Sequence, residues 1–206
     1  TVGTGTIIKL EDDAPGFQNT ANTELKPILE TLGLNADTLW KTDLNDEMSC
    51  VISNLTITNG TGNAGAIGIR SQGAQGSVIR NCTIDFLNGG EKCLDGGNGS
   101  GGYNYNITFK GGNIQADYDG SYYSAQDLVH TRSTTGGAQP VPGLYGCTFI
   151  NPVSKSIKYR AFGPLMLLGC HFQSDSDGTT NKTFIKNSGT TADWAVAKGM
   201  LILIDC

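Results

Sequence analysis

One short pattern recurs six times along this chain, and a repeat of this kind constrains the fold more than any other feature. The segments are Val51-Ile-Ser-Asn-Leu-Thr-Ile57, Val78-Ile-Arg-Asn-Cys-Thr-Ile84, Tyr103-Asn-Tyr-Asn-Ile-Thr-Phe109, Gly143-Leu-Tyr-Gly-Cys-Thr-Phe149, Met166-Leu-Leu-Gly-Cys-His-Phe172 and Leu201-Ile-Leu-Ile-Asp-Cys206. Each has Asn, Gly or Asp at one position, namely Asn54, Asn81, Asn106, Gly146, Gly169 and Asp205, spaced by 27, 25, 40, 23 and 36 residues. Three intervals are close to one coil of a β-solenoid, and two are a coil plus an insertion.

Within each segment apolar residues alternate with period two. Leu55 and Ile57, Cys82 and Ile84, Ile107 and Phe109, Cys147 and Phe149, and Cys170 and Phe172 are therefore expected to face inward. A second strand follows at an offset near 13, with Ile67 after Asn54 and Leu94 after Asn81, drifting to 11 at Ile157. One strand cannot bury its apolar face alone, so the coils must stack. The pattern predicts an all-β, right-handed, single-stranded parallel β-helix over residues 1–206, as one domain. One short helix is expected over Asn22–Leu34, and residues 35–47 read as a surface insertion. Gly96–Gly102 and Thr134–Pro140 read as turns or loops.

Composition agrees. Glycine supplies 29 of 206 residues and charged residues only 16%, so the chain is spent on turns and small side chains, not on charged helices. Net charge is −5 with no run of Lys or Arg, which argues against nucleic acid as a partner. The longest apolar run, Pro164–Leu168, is strand-sized, so no membrane insertion is expected. No signal peptide is visible, and both ends read as cut through a repeat, which predicts a longer solenoid. Six asparagines (Asn54, Asn59, Asn81, Asn98, Asn106 and Asn181) stand in Asn-x-Ser/Thr sequons. Abundant Asn and Thr explain most of these without glycans.

Four cysteines, Cys82, Cys147, Cys170 and Cys206, share the inward column one position after the recurring Asn, Gly or Asp. Rungs lie about 4.8 Å apart. A stack of buried, mostly reduced thiols is the expectation. A disulfide between adjacent rungs is the competing reading, and a bridge between Cys50 and Cys93 is also open. Metal or cofactor binding is not expected: there is no Cys-x-x-Cys and there are only two histidines. Asn54, Asn81 and Asn106 form a second column, read as a structural amide ladder.

The stretches Gly3-Thr-Gly-Thr-Ile-Ile-Lys-Leu10, Ala14-Pro-Gly-Phe17, Ile52–Ile57, Gly65-Ala-Ile-Gly-Ile-Arg70 and Gly76–Ile84 resemble the β-helix proteins of the pectate-lyase superfamily. The nearest branch holds fungal exo-β-1,3-glucanases and phage tailspikes. The resemblance covers about residues 1–110 and rests on scaffold motifs. It implies an extracellular protein with a polysaccharide or glycan as ligand, and it does not fix the chemistry. The polygalacturonase signature of a paired Asp-Asp with a following His-Gly is absent, as is a carboxylate cluster of the calcium-dependent lyase type.

The chemistry-bearing residues concentrate in one segment. The interval from Asn106 to Gly146 is long enough to project an insertion over about residues 113–139. It carries Asp117, Tyr118, Asp119, Tyr122, Tyr123, Asp127, His130 and Arg132. Carboxylates and His supply acid, base or nucleophile, and tyrosines stack on sugar rings. Asp95 and Arg160 each lie 14 residues after the recurring residue of their repeat, Asn81 and Gly146, so they are expected in one column two rungs apart, with Lys158 beside Arg160. Arg160 there can stabilise a uronate carboxylate or tune a proton-abstracting group. The predicted catalytic set is Asp117, Asp119, Asp127, His130 and Arg160. The predicted sugar-binding set is Asp95, Tyr118, Tyr122, Tyr123, Arg132 and Lys158. A solvated polar loop and a surface ion pair are the plainer readings of the two clusters. His171 is expected on the outer surface, and Asp175 with Asp177 is too sparse for a calcium loop. Two function classes follow: a glycoside hydrolase or polysaccharide lyase, or a non-catalytic module of a tailspike, adhesin or extracellular filament. Association into a homo-oligomer is open.

Overall fold

The computed structural model describes residues 5–21, 25–31, 50–71, 76–95, 103–119, 143–160, 165–175, 183–187 and 201–206; for Tyr118, Asp119, Tyr159, Arg160 and Asn187 it describes the backbone only. Strands follow one another coil by coil. The first coil holds β1 (Thr6–Leu10) and β2 (Lys26–Glu30). The next holds β3 (Val51–Ser53), β4 (Leu55–Asn59) and β5 (Ala66–Arg70), followed by β6 (Val78–Arg80), β7 (Thr83–Phe86) and β8 (Lys92–Asp95). Then come β9 (Tyr103–Tyr105), β10 (Thr108–Gly111) and β11 (Ile114–Asp119), and β12 (Gly143–Tyr145), β13 (Thr148–Ile150) and β14 (Lys155–Arg160). The last are β15 (Leu165–Leu168), β16 (His171–Gln173), β17 (Thr183–Asn187) and β18 (Leu201–Ile204).

Every strand pairs in parallel with the strand one coil away, giving three six-stranded sheets. Sheet 1 runs β1-β4-β7-β10-β13-β16, sheet 2 runs β2-β5-β8-β11-β14-β17 and sheet 3 runs β3-β6-β9-β12-β15-β18. This is the stacked parallel β-helix that the repeat requires.

The recurring Asn, Gly or Asp explains how one pattern serves two sheets. Asn54, Asn81, Asn106, Gly146, Gly169 and Asp205 all have φ between 50° and 62°. That left-handed conformation is costly for most residues and accessible to Gly, Asn and Asp. Each apparent single strand is therefore two, one in sheet 3 and one in sheet 1, with the corner between them. One rung of the expected amide ladder is formed, Asn106 Nδ2 donating to Asn81 Oδ1 at 3.0 Å.

The predicted inward positions are the core. Ile57, Cys82, Ile84, Ile107, Phe109, Cys147, Phe149 and Cys170 are buried, and Leu55 and Phe172 pack against them. Phe109, Phe149 and Phe172 stack up the axis with ring centroids 4.9 and 4.8 Å apart. Each such ring contributes about 1.5–3 kcal/mol by burial, and each stacked pair about 0.5–1.5 kcal/mol more. All six cysteines are free thiols, Cys50 and Cys93 included. Cys206 is exposed, unlike the other three of its column. Asn59, one of the sequon residues, is buried and donates to Gly89 O at 2.8 Å, so its amide is committed to the fold.

The expected helix is not formed. Residues 26–30 are β2, registered on β5 with Lys26 opposite Ala66 and Glu30 opposite Arg70. Pro27 would clash in a helix interior but is tolerated on an edge strand, where β2 lies. Among the described residues there is no helix. Residues 35–47, 96–102 and 134–140 fall wholly or mostly outside the described residues.

Candidate functional site

Sheet 2 departs from simple alternation, and the departure builds the site. Cys93 and Leu94 both belong to the core, and Ile28 and Leu29 both pack against it. Gln115 donates to the Ile150 carbonyl at 2.7 Å while its neighbour Ala116 is a core residue. The two middle positions of these strands thus both turn inward, and the flanking positions share the outer face. Lys92 and Asp95, three residues apart, consequently meet, with Nζ 3.5 Å from Oδ1.

One charged position late in each strand falls into one column. Register sets Glu30 against Arg70, Arg70 against Asp95, Asp95 against Asp117, Asp117 against Lys158 and Lys158 against Lys186. Arg70 joins two acids, Nη1 lying 3.5 Å from Glu30 Oε1 and Nε 3.3 Å from Asp95 Oδ2. Lys92 enters from the neighbouring column between Asp95 and Asp117, with Nζ 2.9 Å from Asp117 Oδ2. Up the stack the charges read Glu30 negative, Arg70 positive, Asp95 negative, Lys92 positive, Asp117 negative, Lys158 positive. The side chains of Arg70, Lys92, Asp95 and Asp117 are all under one-tenth exposed.

Burial and neighbours pull these groups in opposite directions. Burial raises the Asp117 carboxyl, partly countered by Lys92, and Asp95 raises it further. Burial lowers the Lys92 ammonium, but Asp95 and Asp117 outweigh that and hold it above the usual lysine range. Burial also raises Glu30 more than Arg70 lowers it. Removing one member leaves an uncompensated buried charge, typically about 3–5 kcal/mol.

At the C-terminal side of the stack the alternation stops. Lys158 faces Lys186, and Lys155 lies three residues before Lys158 on the same strand. Burial, Lys186 and Lys158 together lower the Lys155 ammonium. Lys186 is exposed.

The predicted site residues divide accordingly. Asp117, expected in a projecting loop, is a fully buried residue of β11, because 113–119 completes the coil before any insertion begins. Asp95 and Lys158 are likewise buried in strands and not displayed to a ligand. Arg160 does not share the column of Asp95; Lys158 does, and Arg160 is registered on Asp119. A constant offset from the corner fails because the turn between sheets 1 and 2 varies, taking six residues after Asn59, five after Phe86, two after Gly111 and four after Ile150. Tyr118 is registered on Tyr159, so the backbone brings Tyr118, Asp119, Tyr159 and Arg160 to the ends of two neighbouring rungs. Tyr122, Tyr123, Asp127, His130 and Arg132 lie outside the described residues. His171 is exposed as expected. Asp175 caps Asn151, accepting from its Nδ2 at 2.7 Å and donating its own N–H to Oδ1. Sequence reasoning missed Glu30, Arg70 and Lys92, though a charged residue late in each second strand was visible at Arg70, Asp95, Asp117 and Lys158.

Among the described residues no group of three or more His, Cys, Asp or Glu side chains is arranged to hold a metal. Compared with family models, with curated proteins and with solved structures, the chain matches none.

Proposed function

We propose that the protein is an extracellular, polysaccharide-directed β-helix whose ligand is an anionic glycan lying across the ends of β11, β14 and β17. The observation that carries this reading is the cationic end of the ladder. Lys155 lies near Lys186 and the buried Lys158 as well as near Glu91 and Asp117, Lys186 is exposed, and Arg160 follows two residues after Lys158. A carboxylate or sulfate on a sugar relieves that repulsion and accepts charge-assisted hydrogen bonds. The segment that leaves β11 just after Asp119 carries Tyr122, Tyr123, Asp127, His130 and Arg132, residue types suited to sugar stacking and proton transfer.

Catalysis falls to the same place. Asp95 and Asp117 are buried within ion pairs and serve the scaffold. A hydrolase or lyase would draw its acid and base from Asp119, Asp127 and His130, with Arg160 holding the substrate charge. The non-catalytic reading also has an observation in its favour. The outer face of sheet 3 exposes Val51, Tyr103, Tyr105 and Leu168, an apolar strip suited to association.

Affinity electrophoresis against polygalacturonate, alginate and a sulfated glucan, with a neutral glucan as control, tests the proposal. Binding to an anionic polymer should weaken about tenfold or more in Arg160→Ala and Lys186→Ala, a loss of roughly 1.4 kcal/mol. Unchanged binding in both variants, or equal binding to the neutral control, overturns it. Release of new reducing or unsaturated ends, abolished in Asp127→Ala, separates an enzyme from a binding module.

A further inference from the structure

We infer that Lys92 and Asp117 are the two halves of an intramolecular amide cross-link between adjacent rungs, formed by this chain on itself. The inference is independent of the glycan reading and rests on the middle of the charge ladder.

Lys92 Nζ lies 2.9 Å from Asp117 Oδ2, so the amine and the carboxyl that would react are already in contact. Both side chains are sealed from solvent, at 2% and 0% exposure. They sit on strands fixed by register, β8 and β11, with Lys92 opposite Ile114 and Asp117 opposite Asp95. A cross-link therefore needs no movement of the backbone.

A third group supplies proton transfer. Asp95 Oδ1 lies 3.5 Å from the same Nζ, and its other oxygen is held by Arg70 at 3.3 Å, which fixes its orientation. Its role is to relay a proton from the Lys92 ammonium to the Asp117 carboxylate, whose burial favours the neutral form. The free amine then attacks Cγ of the neutral Asp117 carboxyl. In the tetrahedral intermediate Asp95 takes a second proton from the nitrogen and gives it to a hydroxyl, whose C–O bond breaks as it leaves as water. An ammonium and a carboxylate go in, and an amide and one water come out. No oxidant, metal or other reactant is needed. The low water content of the site favours the condensed side of the equilibrium, and the product removes two buried charges whose desolvation the fold otherwise bears.

Peptide mapping of the reduced, full-length protein decides the matter, after the folded protein has stood at neutral pH for several days. The expected result is an intact mass one water below the sequence and a branched tryptic product joining the peptides of Lys92 and Asp117, with no cleavage after Lys92. The mass alone is insufficient, since Asp-Gly sites such as Asp95-Gly96 lose the same water as succinimides. Those open in mild alkali, whereas the cross-link persists. Lys92→Arg keeps the cation between two carboxylates but cannot condense, so its mass should return to the sequence value. A full yield of the peptide ending at unmodified Lys92 from the wild-type chain overturns the proposal, and this readout needs no variant to fold.

Discussion

Replacing Gly146 with Ala isolates the conformational demand that shapes every coil. Gly146 has φ of 60°, and a Cβ built on it meets nothing within 4 Å. No clash and no lost contact contribute, so the change reports the backbone alone. A left-handed conformation costs an L-residue roughly 1–2 kcal/mol. Ala also lowers the entropy of the unfolded chain, recovering about 0.4–1 kcal/mol. The expected net loss is about 1 kcal/mol, or a fall in Tm of roughly 2–4 °C for a chain of this size. Gly146→Asn is the control, because Asn occupies the same seat at φ of 58°, 54° and 50° in three other coils. Its amide would also stand one rung above Asn106, at the end of the existing ladder. Asn should therefore recover most or all of the loss. Equilibrium urea unfolding followed by circular dichroism measures both variants. An Ala variant as stable as wild type, or an Asn variant as weak as Ala, refutes the claim that this conformation selects the Asn, Gly and Asp at the corners.

Two further outcomes follow from burial. Glu30 holds its proton to higher pH in the folded state than unfolded, because burial outweighs the attraction of Arg70. Over the window that opens at the ordinary value of 4.5 and extends upward, the folded state binds more protons, so stability falls as pH rises. Glu30→Gln should flatten that slope, and an identical pH profile of unfolding midpoints in the variant contradicts the assignment. Among the cysteines, Cys206 is exposed while Cys82, Cys93, Cys147 and Cys170 are buried. A thiol reagent should label Cys206 at once in the native, unreduced protein and these four only on unfolding; fewer than four new thiols on denaturation would reveal disulfides in their place.

The fold was readable because its determinants are local and periodic. The inward column follows from period two, and the corner residues mark every coil. What stayed hidden depends on turns of unequal length. In the four middle coils the passage from sheet 1 to sheet 2 takes between two and six residues, so counting from the corner cannot align Arg70, Asp95, Asp117 and Lys158. The strand at Lys26–Glu30 was masked by helix-like spacing, with Pro27 as the one residue that spoke against it. Charged residues at strand ends read as solvated, and nothing in alternation announces that two inward positions in a row will fold Lys92 and Asp95 onto one buried face.

The ladder links stability to the proposed ligand. From Glu30 to Lys158 each buried charge has an opposite charge next to it, and Lys92 supplies the cation where register alone would set Asp95 against Asp117. A like-charge pair directly opposite is destabilising in a sheet, so this insertion of Lys92 is what makes the middle of the stack tolerable. In the next rung Lys158, registered on Asp117 on one side, is set against Lys186 on the other, and Lys155 is near both lysines as well as Glu91 and Asp117. The same physics that places a cation between two acids calls for an anion between two cations. Lys186 is exposed, so that anion can come from outside. Anionic polymer should accordingly raise the unfolding midpoint of the wild-type protein and raise it less in Lys186→Ala. A neutral polymer that stabilises both proteins equally would sever the connection between the ladder and the ligand.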